Sequence, residues 1–260
     1  LRYTERPVDD IDPDDLLAID LCYTASRSLM LLYPVHSSYF ALRALVLGLQ
    51  AGDPGRLVEG MACVAVLYAQ LGRTNNSLMA TAQRLVQRLD TPFARGVLEL
   101  WEGHLHFSRG HWQRAANTWQ RAHDHLTQCQ GAASELQKVD MHILQAARLQ
   151  GRFENLSRRA DEAIARARET GNILTEVTAR LLSSTARLAF GDVAGARTRI
   201  RDAMRRAPPN RYTSFTELDC EIACDLYQGM AARALARIET SWVEIEASRM
   251  MESALFRVRM

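Results

Sequence analysis

Five of the seven histidines in this 260-residue chain crowd into one stretch: His104, His106, His111, His123 and His125. A metal centre needs two to four such side chains converging at about 2.1 Å. His104 and His106 are two apart, as are His123 and His125. On a helix such neighbours point about 200° apart, so at most one of each pair faces a common point. The cluster therefore reads as packing and surface histidines, and no metal is expected. Cys220 and Cys224, four apart, share a helix face as half of a metal site would, but no second pair at matching spacing exists. They read as buried thiols.

The strongest charge feature is basic. Residues 197 to 211 hold Arg197, Arg199, Arg201, Arg205, Arg206 and Arg211 against Asp202, six charges against one, or +5. Arg197, Arg201 and Arg205 step by four and form a stripe, with Ala196, Ile200, Ala203 and Ala207 on the other side. Such a stripe is a candidate binder of phosphates, on a nucleic acid or on a phosphorylated partner. The bland reading is a solvated outer face that pairs with acids of the next element. No aromatic residues are interleaved with it, which disfavours single-strand nucleic-acid binding. Short catalytic motifs are missing from all 260 positions. There is no Gly-x-x-x-x-Gly-Lys-Ser/Thr, and Lys138, the sole lysine, follows no glycine-rich loop. His-Arg-Asp, Asp-Phe-Gly, Gly-x-Ser-x-Gly and His-Glu-x-x-His do not occur either. No enzymatic activity and no cofactor are expected.

The elements that position these residues repeat. Glycine-centred turns at Gly72, Gly110, Gly151, Gly191 and Gly229 are spaced 38, 41, 40 and 38 residues apart. Behind them recur Gly110-His-Trp112-Gln-Arg-Ala115, Gly151-Arg-Phe153-Glu-Asn-Leu156 and Gly191-Asp-Val193-Ala-Gly-Ala196. A further alanine follows seven residues on, at Ala122, Ala163 and Ala203. A second series, Asp90-Thr91-Pro92, Gly131, Gly171 and Pro208-Pro209, falls midway. Each unit reads as helix, tight turn, helix, looser turn. Apolar spacing and caps at Ser37-Ser38, Asp53-Pro54, Thr91-Pro92 and Asp192 place about thirteen helices. They are expected near 13–33, 37–51, 54–71, 75–89, 92–109, 111–128, 132–150, 152–169, 173–190, 192–207, 211–228, 230–247 and 249–260, with residues 1–11 as a linker. Trp101, Phe107, Trp112, Trp119 and Trp242 fall at core or turn-covering spacing. With 14 Gly and 7 Pro, turns are too sparse for a sandwich or barrel.

The expected fold is all-α: a right-handed α-solenoid of about six helix pairs with a 38–41 residue period, one domain over 12–260. Its last helix is expected to continue past the fragment. Net charge is +2, and five cysteines, an odd number, resemble reduced thiols of a cytoplasmic protein. No apolar run approaches the ~18 residues of a membrane span. Leu1 stands where a start methionine would, and no leader pattern follows it, so the chain is read as starting partway into a longer protein.

The glycine-x-aromatic-x-x-alanine pattern over about 54–247 resembles the tetratricopeptide repeat, lengthened from its usual 34 residues. Arg211-Tyr-Thr-Ser-Phe215, Cys224-Asp-Leu-Tyr227-Gln-Gly229, Trp242 and the stretch Arg249 to Arg257 resemble the C-terminal repeats of large bacterial signalling proteins with a serine/threonine kinase and an AAA-type ATPase domain upstream. That resemblance implies a non-catalytic sensing or docking arm, bound to a protein or peptide, other domains of the same polypeptide included. The first helix of each pair would line its groove, which offers Arg95, Glu99, Glu102, Lys138, His142, Gln145, Glu176, Arg180 and Arg187 as polar candidates. Their mixed signs suit an extended peptide better than a polyanion. Small-molecule sensing in a pocket between repeats is the remaining alternative.

Overall fold

The computed structural model describes residues 3–30, 33–70, 72–73 and 76–247. Among these residues every regular element is helical. A 3-10 turn, Val8–Asp10, precedes twelve α-helices. These are α1 (Pro13–Leu29), α2 (Pro34–Ala51), α3 (Pro54–Gln70), α4 (Asn76–Leu89), α5 (Pro92–Ser108), α6 (Trp112–Leu126), α7 (Ala133–Leu149), α8 (Phe153–Glu169), α9 (Ile173–Ala189), α10 (Val193–Met204), α11 (Arg211–Tyr227) and α12 (Ala231–Ala247). The helix expected over 249–260 lies outside the described residues. None of the described helices is long and apolar enough to cross a membrane.

The turns have a common construction. At Gly110, φ is +75°, the amide of Gly110 donates to Phe107 O at 3.0 Å, and the amide of His111 reaches back to His106 O at 2.9 Å. That pair of bonds satisfies two carbonyls that the end of α5 leaves open, and only a residue tolerant of the left-handed region makes it without strain. The same pair recurs at Gly151, Gly191 and Gly229, closing α7, α9 and α11. It also recurs at Gly171, so the turn after α8, expected to be looser, is built like the others. Asp90 takes φ +50° where the midway series has Gly131 and Gly171 at later turns.

Helix starts follow side-chain caps. Asp53, Thr91 and Asp192 accept from the amides of Arg56, Ala94 and Gly195 at 2.6, 3.3 and 2.7 Å. Asn172 and Asn210 do the same for α9 and α11. Ser37 does not cap. Its hydroxyl turns inward and donates to Ser26 O at 2.8 Å, and α2 starts three residues earlier at Pro34, whose fixed φ suits a first helical position. Residues 3–11, read from the sequence as a linker, pack down instead: Ile11 is buried, and the Arg6 amide donates to Gly52 O at 3.1 Å.

The chain divides into two compact units, residues 1–136 and 137–260, the division falling in the first turn of α7. In the first unit, Ile19, Cys22, Tyr23, Ala44 and Ala51 join α1 to α2. A larger core runs through α2 to α5 around Leu57, Met61, Leu85 and Val97. In the second unit, Leu144, Leu156, Ala160 and Leu182 join α7, α8 and α9. Val177, Leu181, Ile200, Cys220 and Cys224 join α9, α10 and α11. Each large side chain buried this way contributes about 1.5–3 kcal/mol. The recurring apolar positions are buried throughout: Ala115 and Ala122, Leu156 and Ala163, Ala196 and Ala203. Trp119, Phe107 and Trp101 are core residues, Trp112 is partly buried behind its turn, and Trp242, expected in the core, is exposed on α12.

Candidate functional site

Most of the charged groups that the sequence singles out lie in the second unit, where two buried carboxylates, Glu176 and Asp225, each gather three arginines. The first is Glu176. Asn172 caps α9, which sets Glu176 in the first turn of that helix and Arg180 one turn later on the same face. Arg168 comes from the last turn of α8, and Arg206 from the residues that follow α10. Arg168 Nε and Arg180 Nη2 each donate to Glu176 Oε1 at 3.0 Å, and Arg206 Nη2 stands 3.4 Å from Oε2. The Glu176 side chain is 2% exposed, whereas Arg168 and Arg206 are about half exposed. Burial pushes the Glu176 carboxyl up, but the hydrogen bonds from Arg168 and Arg180 and the Arg206 charge outweigh it and hold it below the usual glutamate range. Three guanidinium groups against one carboxylate leave the cluster two positive charges in surplus.

The second carboxylate is Asp225, on α11, with a fully buried side chain. Arg197 of α10 donates to its Oδ1 at 2.6 Å, Arg233 of α12 to the same oxygen at 2.7 Å, and Arg237 Nε to Oδ2 at 2.7 Å. Glu221, one turn earlier, takes Arg197 Nη1 and Arg237 Nη2 as well. Burial raises the Asp225 carboxyl, and the three arginine hydrogen bonds overcome it and bring it down to about 2. This network clamps three helices together, and its charges nearly cancel.

The proposed basic stripe is thereby divided. Arg197 is turned inward to Asp225 and Glu221. Arg201 and Arg205 remain outside, bonded to Thr198 Oγ1 at 3.0 Å and to Asp202 Oδ1 at 3.2 Å. The groove candidates are dispersed too. In the first unit Arg95 pairs with Asp90, Glu99 takes Arg121 Nε at 2.7 Å, and Glu102 accepts from Gln83 at 2.6 Å. In the second, Lys138 and His142 are partly buried on α7, and Arg187 faces Asp192 at 3.4 Å. Gln145 and Glu176 are buried, so neither side chain is open to a partner. Only Glu176 and Arg180 of the nine share a site, and Arg168 and Arg206, which complete it, were not among them.

The histidines do not converge. His104 lies between the rings of Trp101 and Trp119, with Nδ1 2.8 Å from Leu100 O, and His106 faces His111 at 6.4 Å between ring centres. Cys220 and Cys224 sit in the α9–α11 core, where Cys220 Sγ donates to Leu181 O and burial lifts the Cys224 thiol to about 11. A cavity of about 310 Å³ opens between the start of α11 and the end of α12, lined by Asn210, Phe215, Leu218, Ser241 and Ile245. It lies inside one helix pair. Among known protein families, curated proteins and solved structures, none matches this chain.

Proposed function

We propose that this chain is a non-catalytic docking scaffold whose helix pairs hold an extended protein or peptide partner, and that the Glu176 cluster is an anchor for an acidic side chain of that partner. The single observation behind it is the surplus of two positive charges on arginines held in place by one buried carboxylate, with Arg168 and Arg206 open to solvent. A guanidinium fixed by a first carboxylate keeps free N–H groups in a known direction, which is what bidentate capture of a second one requires. In this reading the pairs belong to a right-handed superhelix of about six tetratricopeptide-like units. The scaffold serves as the docking or sensing arm of a larger cytoplasmic signalling protein, as the C-terminal resemblance implies. Charge balance supports the division of labour: the Asp225 network sets three arginines against two carboxylates, and the Glu176 network sets three against one.

The test is fluorescence anisotropy with four labelled twelve-residue peptides, glutamate-rich, phosphoserine-bearing, lysine-rich and neutral. The glutamate-rich and phosphoserine peptides should bind, more weakly as salt rises. Arg168→Gln with Arg206→Gln, which keeps Arg180 on Glu176, should weaken them by tenfold or more at a temperature where circular dichroism shows the variant as folded as the parent. Binding that ignores those substitutions, or no binding of either acidic peptide at low salt, rejects the anchor.

A further inference from the structure

The first helix hairpin carries an apolar surface that its own unit does not cover. On α2 the inward side is Ser37, Ala41, Ala44 and Leu45, buried against α1 and α3. On the opposite side Val35, Tyr39, Leu42 and Val46 are 55%, 58%, 45% and 53% exposed. Their spacing is four, three, four, the seam of a coiled coil. On α1, Leu17 and Leu21 are likewise more than half exposed, on the side away from Ile19 and Cys22. The Ser37–Ser26 hydrogen bond sets the antiparallel register of the hairpin, so Leu21 is level with Leu42 and Leu17 with Val46. Tyr23 of α1 donates to Arg56 O of α3, and Leu45 of α2 packs on the same helix, which turns all six side chains away from α3.

We infer that this face binds a second copy of the chain, α2 against α2 in antiparallel, through a two-fold axis between Tyr39 and Leu42. The seam is its own complement under that operation. Val35 meets Val46 of the other copy and Tyr39 meets Leu42, with no apolar position left over, and isologous pairing requires just this. Each incoming Tyr39 falls level with Leu21 as well as Leu42, a hole between two helices rather than a flat surface. Charge selects the direction. Arg43 and His36 are the only titratable cations on α2, which has no acidic residue. Parallel pairing would set Arg43 beside its own copy, whereas antiparallel pairing sets it opposite Ser38 and separates the two guanidinium-bearing positions by about 7.5 Å along the axis. Six side chains about half exposed amount to on the order of 600 Å² per copy, and roughly twice that for the pair, the lower end of what stable interfaces bury.

Sedimentation of the whole chain tests this with two charge-reversed partners. The parent at about 50 µM should run at twice 29.3 kDa. Tyr39→Glu with Leu42→Glu, and separately Tyr39→Lys with Leu42→Lys, should each run at 29.3 kDa with unchanged circular dichroism. Mixing the two variants in equal amounts should restore the doubled mass, and high salt should reduce it. A parent of single mass at this concentration overturns the inference and leaves the face to a different occupant. So does a doubled mass that survives in either variant, or a mixture that stays monomeric.

Discussion

Gly103 lies in the middle of α5, and helix propensity alone says that alanine there stabilises by about 1 kcal/mol. The structure reverses the sign. A methyl group on residue 103 would overlap Nε1 and Cδ1 of the Trp119 indole and stand 2.7 Å from its Cε2. That indole has nowhere to go. It is fully buried, donates from Nε1 to Leu100 O at 3.0 Å, and touches the rings of Phe107 and His104 at 5.7 and 5.4 Å between centres. Overpacking costs about 1–3 kcal/mol, and stranding the indole N–H adds about 1–3 kcal/mol. Less the helix gain, the net loss for Gly103→Ala is about 1–5 kcal/mol. At ~2–4 °C per kcal/mol for a chain of this size, the melting temperature should fall by roughly 2–20 °C. Urea titrations of Gly103→Ala, Trp119→Leu and the double variant, read by circular dichroism, isolate the clash. In the leucine background the alanine has room, so its cost should vanish, giving a coupling of about 2 kcal/mol or more. A Gly103→Ala chain as stable as the parent refutes the packing argument.

Further predictions concern the charge network and the turns. The Asp225 carboxyl lies at about 2 in the folded chain against 3.8 unfolded, so its stabilisation is complete above pH ~4 and is lost as pH falls from 4 toward 2. The melting temperature should drop over that window, and Asp225→Asn should flatten the drop. At neutral pH the same substitution should cost about 3–5 kcal/mol, because it strands Arg197, Arg233 and Arg237 around a buried neutral group. At Asp90, glycine should be tolerated to within about 1 kcal/mol and valine should cost about 1–2 kcal/mol, since φ is +50°. Thermal melts of the two variants side by side check it, and equal stability would show that the turn relaxes.

Local features were legible in the sequence where one residue type has one physical use. Glycines at 38–41 residue spacing and the caps Asp53, Thr91 and Asp192 mark helix ends because left-handed backbone and open amides have few other solutions. Ser37 misleads because a serine hydroxyl satisfies a neighbouring carbonyl as readily as a cap, whereas Pro34, three residues earlier, has a single option at a helix start. Trp112 stands out in the repeat pattern, yet the wholly buried ring is Trp119, seven residues on, in the space that Gly103 leaves open.

The ion pairs were least legible, since a helical wheel places a residue on its own helix and says nothing of what faces it. Arg197, Arg201 and Arg205 form one stripe by spacing, but Asp225, 28 residues away, takes the first and leaves the others. One sequence signal does bear on the site. Glu135, Glu176 and Glu217 recur at intervals of 41 in the first two turns of α7, α9 and α11, and Arg168 and Arg206 recur 38 apart near the ends of α8 and α10. Aligning the repeats by charge as well as by alanine brings Glu176 and both arginines into view. What the column cannot fix is the outcome at each turn. Glu135 is buried against Arg27, and Glu176 gathers three arginines. Glu217 is pushed up by burial and by Glu221, and Arg237 offsets this only in part, its guanidinium being bonded to Glu221 and Asp225, one and two turns further on.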